Sequence, residues 1–268
     1  MKVVLDIETV QAPREEWARL VGKEPLPETD VSGREELDLF EAGAAEAERQ
    51  AEDELYAKSA FDGTFSRIVC IGLLEFSDQM EARSAVAWYG SNEKELLRQF
   101  WARIAQDRPT LFITHNGLGF DLPFIKERSM IHQVKPSYDI NLAKFRAEPV
   151  YDTMAIWSNW DTRGWVKLDV LARALNVETK SGSGSQVAEM WEKGQGQELA
   201  RYCLQDTYVT YACFCRMNFR QPLSSEVVLL QPDSRADSCD DSELMIARPK
   251  KNPGHPCGQP GPDLGLGS

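Results

Sequence analysis

Val3-Val4-Leu5-Asp6-Ile7-Glu8-Thr9 sets two carboxylates one residue apart inside an apolar run near the start of a 268-residue chain. Alternation along a strand turns Asp6 and Glu8 to one face, at a strand end beyond which the sequence becomes polar. Like charges this close repel, and they take up protons unless something positive stands between them. Hard divalent cations such as Mg2+ prefer carboxylate oxygens, so the pair predicts a metal site. A charge flanked by Val3, Val4 and Leu5 needs such compensation if it is buried. The rest of the chain is read for the remaining ligands.

Downstream, strand and helix patterns alternate. Arg67-Ile68-Val69-Cys70-Ile71-Gly72-Leu73-Leu74 is nearly all apolar and fits a central strand. Ala85–Tyr89 fits a third strand, and Pro109–Thr114 a fourth. Between them, Leu96, Leu97, Phe100, Trp101 and Ile104 recur at helical spacing, with Asn92 as the N-cap. After the fourth strand comes His115-Asn116-Gly117-Leu118-Gly119-Phe120-Asp121, whose glycines permit a tight turn, then a helix to about Met130. Val166–Ala174 reads as a short helix, Ser181–Ser185 as a flexible connector, and a further helix begins at Gln186–Trp191. Gln197–Phe219 is the last clear helix. Tyr202 and Asp206 lie on it at i, i+4 and so share one face. Four acids, Asp6, Glu8, Asp121 and Asp206, can thus converge from a strand, a turn and a helix.

Residues 132–165 are less regular. They carry Lys135, Lys144, Arg146 and Arg163 among Tyr138, Tyr151, Trp157, Trp160 and Trp165. Such a mixture holds a single strand by phosphate contact and stacking, or it is simply core. Arg34–Lys58 reads as an acidic surface helix with a thin stripe of Leu37, Phe40, Ala44 and Leu55, preceded by the breakers Pro25, Pro27 and Gly33. From residue 221 onward Pro, Gly, Ser and Asp dominate, and this tail reads as mostly disordered. Within it, Val227-Val228-Leu229-Leu230 suggests a short docking strand or peptide.

A net charge of −12 argues against a nucleic-acid partner until it is divided. Residues 11–57 hold 14 acidic and 5 basic residues, and residues 221–268 hold 7 and 4. The remainder has 21 of each, including the four acids of the expected site, so its other surface is slightly basic. That balance predicts weak, salt-dependent binding of nucleic acid. No apolar run of about 18 residues suggests a membrane span, and no basic and apolar leader stands at the start. Six cysteines without a CxxC pair suggest reduced thiols and a cytoplasmic location.

Leu5-Asp6-Ile7-Glu8-Thr9, then His115-Asn116-Gly117 with Phe120-Asp121-Leu122-Pro123-Phe124-Ile125, then Tyr202-Cys203-Leu204-Gln205-Asp206 resemble the three exonuclease motifs of the DEDD superfamily. The third is of the Tyr-x-x-x-Asp kind. Arg201 stands where the histidine subclass has its His. The chain is most similar to the predicted exonucleases related to the proofreading domain of family B DNA polymerases, over residues 1–10 and 58–220. That resemblance implies an α/β, ribonuclease-H-like fold with a mixed five-stranded sheet flanked by helices. It implies residues 1–220 as one nuclease domain, interrupted by an acidic insertion at about 11–57, with 221–268 as a tail.

The activity implied is 3′–5′ hydrolysis of terminal nucleotides, with single-stranded DNA favoured over RNA. Two Mg2+ or Mn2+ ions would be held by Asp6, Glu8, Asp121 and Asp206, Asp6 touching both. Tyr202 would orient the attacking water, since an ordinary phenol is too weak a base at neutral pH. Asn116, Phe120 and Thr9 would shape the path of the strand. Asp152 is either a further site acid or a structural hydrogen-bond acceptor. An accessory module that binds nucleic acid, recruited to a protein partner through the insertion or the tail, is the contrasting expectation.

Overall fold

A computed structural model describes residues 1–23, 39–178, 186–229 and 242–247. Leu37, the Pro25–Gly33 breakers, the Ser181–Ser185 connector and most of the tail lie outside these described residues.

β1 (Lys2–Gln11) runs antiparallel to β2 (Ser66–Phe76), and β2 antiparallel to β3 (Ala82–Gly90). On its other edge β1 pairs in parallel with β4 (Leu111–Thr114), and β4 in parallel with β5 (Val150–Asp152). The mixed five-stranded sheet of the expected α/β, ribonuclease-H-like architecture is therefore present. A sixth strand, β6 (Ser242–Ala247), adds antiparallel to β3 and gives the order β5-β4-β1-β2-β3-β6.

The helices divide between the two faces. α3 (Glu93–Gln106) and α4 (Asp121–Ile131) cover one side, where Val3, Leu5, Ile7, Ile71 and Leu73 meet Leu97, Phe100 and Phe124. Asn92 caps α3 as expected, its side chain accepting the Glu95 N–H at 3.2 Å. α8 (Gly196–Met217) covers the other side, backed by α6 (Leu168–Ala174) and α7 (Gln186–Glu192). There Val4, Cys70, Leu74 and Phe76 pack on Leu199, Cys203 and Tyr211, with the Phe76 and Tyr211 rings stacked at 4.3 Å. Cys70, Cys203, Cys213 and Cys215 are all buried and free. Among the described residues no helix is long and apolar enough to cross a membrane.

The acidic segment contributes α1 (Arg14–Leu20) and α2 (Leu39–Lys58). Trp17 of α1 meets Tyr56 of α2 edge-on at 5.5 Å, and Glu52 is buried where Arg14 and Lys23 reach it. Leu55, expected in an apolar stripe, is exposed. Val227 and its neighbours are not a strand: Ser225–Val228 is a helical turn, α9, that buries Val228.

β5 has three residues, too few for alternation to show in the sequence. Asp152, its last residue, caps α5 (Thr153–Trp157). Part of the irregular basic and aromatic stretch belongs to the core. Tyr138 stacks on Phe112, and Tyr151 packs edge-on against Phe214 at 4.8 Å. Trp157 and Trp165 stay exposed.

Candidate active site

The site forms where β1 outruns its neighbour. Pairing of β1 with β4 ends at Val4–Ile113, so the next ladder position needs another acceptor. The N–H of Ile7 finds it in Asp121 Oδ1 at 3.1 Å. Asp121 is the first residue of α4, where a carboxylate also gains from the helix dipole. Asp6 and Glu8 face α8, as their alternation with Ile7 predicts. α8 presents Asp206 to them, and the Tyr202 hydroxyl donates a hydrogen bond to that carboxylate. All four acids of the sequence reading are thus brought together, with Tyr202 beside them.

The turn that delivers Asp121 is shaped by Asp152. Its carboxylate accepts the N–H groups of Asn116 at 3.0 Å and Leu118 at 2.9 Å, and those of Met154 and Ala155 at the head of α5. Of the two roles expected for Asp152, this is the structural one. Asn116 is left-handed, at φ 65°, and Gly117 lies so close to Thr114 that a Cβ there would sit 2.4 Å from the Thr114 side chain. Glycine is required by that approach. Phe120 ends the turn, half-buried against Phe124. Thr9 follows a β-bulge, because Glu8 pairs with Cys70 whereas Thr9 pairs with Ile68. Bulges beside a site re-aim the side chains around them.

Electrostatics make the cluster unusual. Burial pushes the Asp6 carboxyl well above the usual carboxylate range, and Glu8, Asp121 and Asp206 add to the effect. Glu8 is raised by burial, then by Asp206 and Asp121. Asp121 is pushed up to about 7 by burial, against the opposing pull of backbone N–H groups. Asp206 rises to about 6 by burial, tempered by the hydrogen bond from Tyr202. The Tyr202 hydroxyl is itself driven far upward, first by burial and then by Asp206 and Glu8. It therefore keeps its proton at neutral pH and acts as a donor.

No Lys, Arg or His among the described residues forms an ion pair with any of the four acids. The Glu8 carboxylate is 8% exposed, and no described group donates a hydrogen bond to it. A buried carboxylate left so is costly unless a cation arrives or a proton binds. Oxygen donors in this number suit a hard divalent ion, so the residues present fit the metal site that the sequence predicts.

Two residues near the site gave no clear signal in the sequence. Cys203 places its thiol 3.6 Å from Asp6 Oδ2 and is wholly buried. Its i, i+3 spacing from Asp206 is the pattern that could have indicated it. Phe61, 76% exposed, sets its ring edge-on to Phe120 at 6.3 Å. It follows the acidic segment in a short turn with no periodicity to mark it.

A family described as predicted 3′-5′ exonucleases related to the exonuclease domain of PolB matches residues 60–228. Asp121, Tyr202 and Asp206 fall inside that match, whereas Asp6 and Glu8 precede it. A DNA polymerase of Pyrococcus glycovorans is 27% identical over 140 residues, covering 45% of this chain and 18% of the polymerase. One from Thermococcus gorgonarius is 26% identical over 167 residues, covering 52% and 21%. The alignments thus span about a fifth of the length of these relatives. The solved family B DNA polymerase from the archaeon Pyrobaculum calidifontis superposes with a TM-score of 0.45 at 13% identity, over 78% of this chain and 23% of the polymerase.

Proposed function

The chain belongs to the predicted 3′-5′ exonucleases related to the exonuclease domain of PolB, and from that premise we propose that it removes nucleotides one at a time from the 3′ end of single-stranded DNA. The observation that carries this reading is the cation deficit: four carboxylates from β1, α4 and α8 meet in a partly buried site, with no positive side chain among the described residues paired to them. In the proposed arrangement, which is of the DEDD kind with a tyrosine in its third motif, Asp6, Glu8 and Asp206 hold one divalent ion. Asp6 and Asp121 hold the other. Bound there, a pair of Mg2+ or Mn2+ ions supplies an activated water and charge stabilisation at the leaving 3′-oxygen.

The chain's own residues orient the reactants. Tyr202 donates its one proton to Asp206, and its oxygen accepts a hydrogen bond from the attacking water. It is no general base, because its hydroxyl does not ionise at neutral pH. Phe120, with Phe61 leaning on it, offers a ring to the terminal base, and each such stack is worth about 1–3 kcal/mol. Asn116 and Thr9 line the path of the strand on either side of the acids. The domain proposed for this work is residues 1–220, with 11–57 as an insertion and 221–268 as a tail, and a protein partner is recruited through one or the other.

Degradation of a 5′-labelled single-stranded DNA, with a matched RNA alongside, tests the reading. Expected are shortening from the 3′ end that depends on Mg2+, preference for DNA, and loss of activity in both Asp6→Ala and Asp206→Ala. Cutting of a circular strand, or hydrolysis that survives both substitutions, would overturn it.

A further inference from the structure

The donor atoms of Asp6, Glu8 and Cys203 lie within 4.8 Å of one another, and among the described residues this is the one group of three ligating side chains so closely gathered. The sulfur is placed there by the fold. Cys203 sits on the α8 face against β1, 3.6 Å from both the carbonyl oxygen and Oδ2 of Asp6. Gly72 of β2, the strand partner of Asp6, makes the room, since a Cβ on it would lie 2.7 Å from the Cys203 sulfur. The thiol donates toward Asp6, while Glu8 beside it, buried, receives no hydrogen bond from any described group. A carboxylate without a partner and a thiol aimed at its neighbour form a mixed oxygen and sulfur donor set.

We propose that Cys203 turns the Asp6–Glu8 pair into a second kind of metal site, one that takes a thiophilic divalent cation such as Zn2+ in competition with Mg2+. The inference rests on the reading of Asp6 and Glu8 as metal ligands and adds a donor to them. Mg2+ demands oxygen and leaves the thiol as a hydrogen-bond donor to Asp6. Zn2+ and Cd2+ bind sulfur well, with Zn–S near 2.3 Å and Zn–O near 2.0–2.2 Å. Two such ligands lie at most ~4.5 Å apart across the ion, so the trio closes on it with a small inward shift. On ligation the thiol gives its proton to solvent and its sulfur lone pair forms the coordinate bond, so no oxidation state changes. An ion held this way ties Asp6 to the sulfur and withdraws it from the geometry that two hard ions require. The site would then be silenced by zinc at levels that leave an all-oxygen site free.

Cd2+ titration of the full chain gives a readout apart from turnover, the near-ultraviolet absorption of cadmium–thiolate charge transfer. Expected is a component present in the wild type and missing in Cys203→Ser, which also separates it from the other cysteines. Asp6→Asn retains the thiol and should weaken that component's apparent affinity by at least about tenfold, a check that does not need the serine variant to fold. Excess Mg2+ should raise the Cd2+ concentration needed. Identical spectra for wild type and Cys203→Ser, or unchanged affinity in Asp6→Asn, would overturn the inference. Mg2+-dependent hydrolysis without the Cys203 component sinks this inference and leaves the nuclease reading standing. The component without any hydrolysis does the reverse.

Discussion

Buried carboxylates occur on both faces of the sheet, and the chain treats them in opposite ways. On the α3–α4 side Glu93, 4% exposed, is saturated: Arg128 Nε and Nη2 reach it at 2.8 and 2.6 Å, the Ile68 N–H at 2.8 Å and His132 at 2.7 Å. Arg128 also donates to the Gly63 carbonyl at 3.0 Å, closing the network. Elsewhere Glu75 has Arg103, and Glu52 has Arg14 and Lys23. On the α8 side Glu8 is almost as deeply buried and has neither cation nor donor. Among the described residues the fold thus gives Glu52, Glu75 and Glu93 a positive partner and Asp152 four backbone N–H groups, whereas Glu8 receives neither. That gap marks where an external cation belongs.

The comparison breaks most visibly by neutralising each side. Removal of one member of a buried ion pair costs about 3–5 kcal/mol, so Glu93→Ala should lower the unfolding free energy read from urea titration by that order. Glu8→Gln in metal-free protein at pH 7.5 should raise it, because the substitution relieves repulsion that nothing offsets. Equal losses from both would erase the distinction.

A pH series on metal-free protein sharpens it next. Asp121 and Asp206 are held at about 7 and about 6 in the fold, against roughly 4 in an unfolded chain. Below about pH 4 both states are protonated and that stability is fully present. It is lost as pH rises through 6 and 7, because the unfolded chain releases those protons first. The unfolding temperature should therefore fall more steeply over that window in wild type than in Asp121→Asn, and Mg2+ should flatten the difference. Parallel curves would refute the electrostatic account.

Tyr202→Phe removes the donor to Asp206 and leaves the ring. A loss of kcat of up to about 100-fold, with little change in KM, fits a water-orienting role. An unchanged kcat would remove the Tyr202 hydroxyl from that role. The smallest effect belongs to Gly72→Ala. Its Cβ would press on Cys203 and lie 3.4 Å from Thr207 Cγ2, an overpacking that costs about 1–3 kcal/mol. Calorimetry of that variant reads the cost, and a neutral result would mean that α8 moves aside freely.

Much of this was legible before any coordinates. β1 showed itself by alternation, α3 and α8 by helical periodicity, and the four acids by their separate positions on a strand, a turn and a helix. What was hidden depended on contacts distant in sequence. β5 spans three residues, and its role is to end in Asp152, whose four N–H partners come from two different segments. The Glu93–Arg128 network joins three elements that no local pattern links. Cys203 read as an ordinary buried cysteine on an apolar helix face, because only the pairing of Asp6 with Gly72 sets its sulfur at the carboxylates. The short tail strand β6 had no apolar alternation to separate it from its polar surroundings.

The central claim, that the deficit at Asp6 and Glu8 is met by divalent ions, is tested most directly by Mn2+ titration calorimetry at neutral pH on wild type and Asp6→Ala. The account predicts two ions per chain in the wild type that are lost together in the variant, since Asp6 serves both. Wild-type protein that binds no Mn2+, or a variant that binds it unchanged, would contradict it.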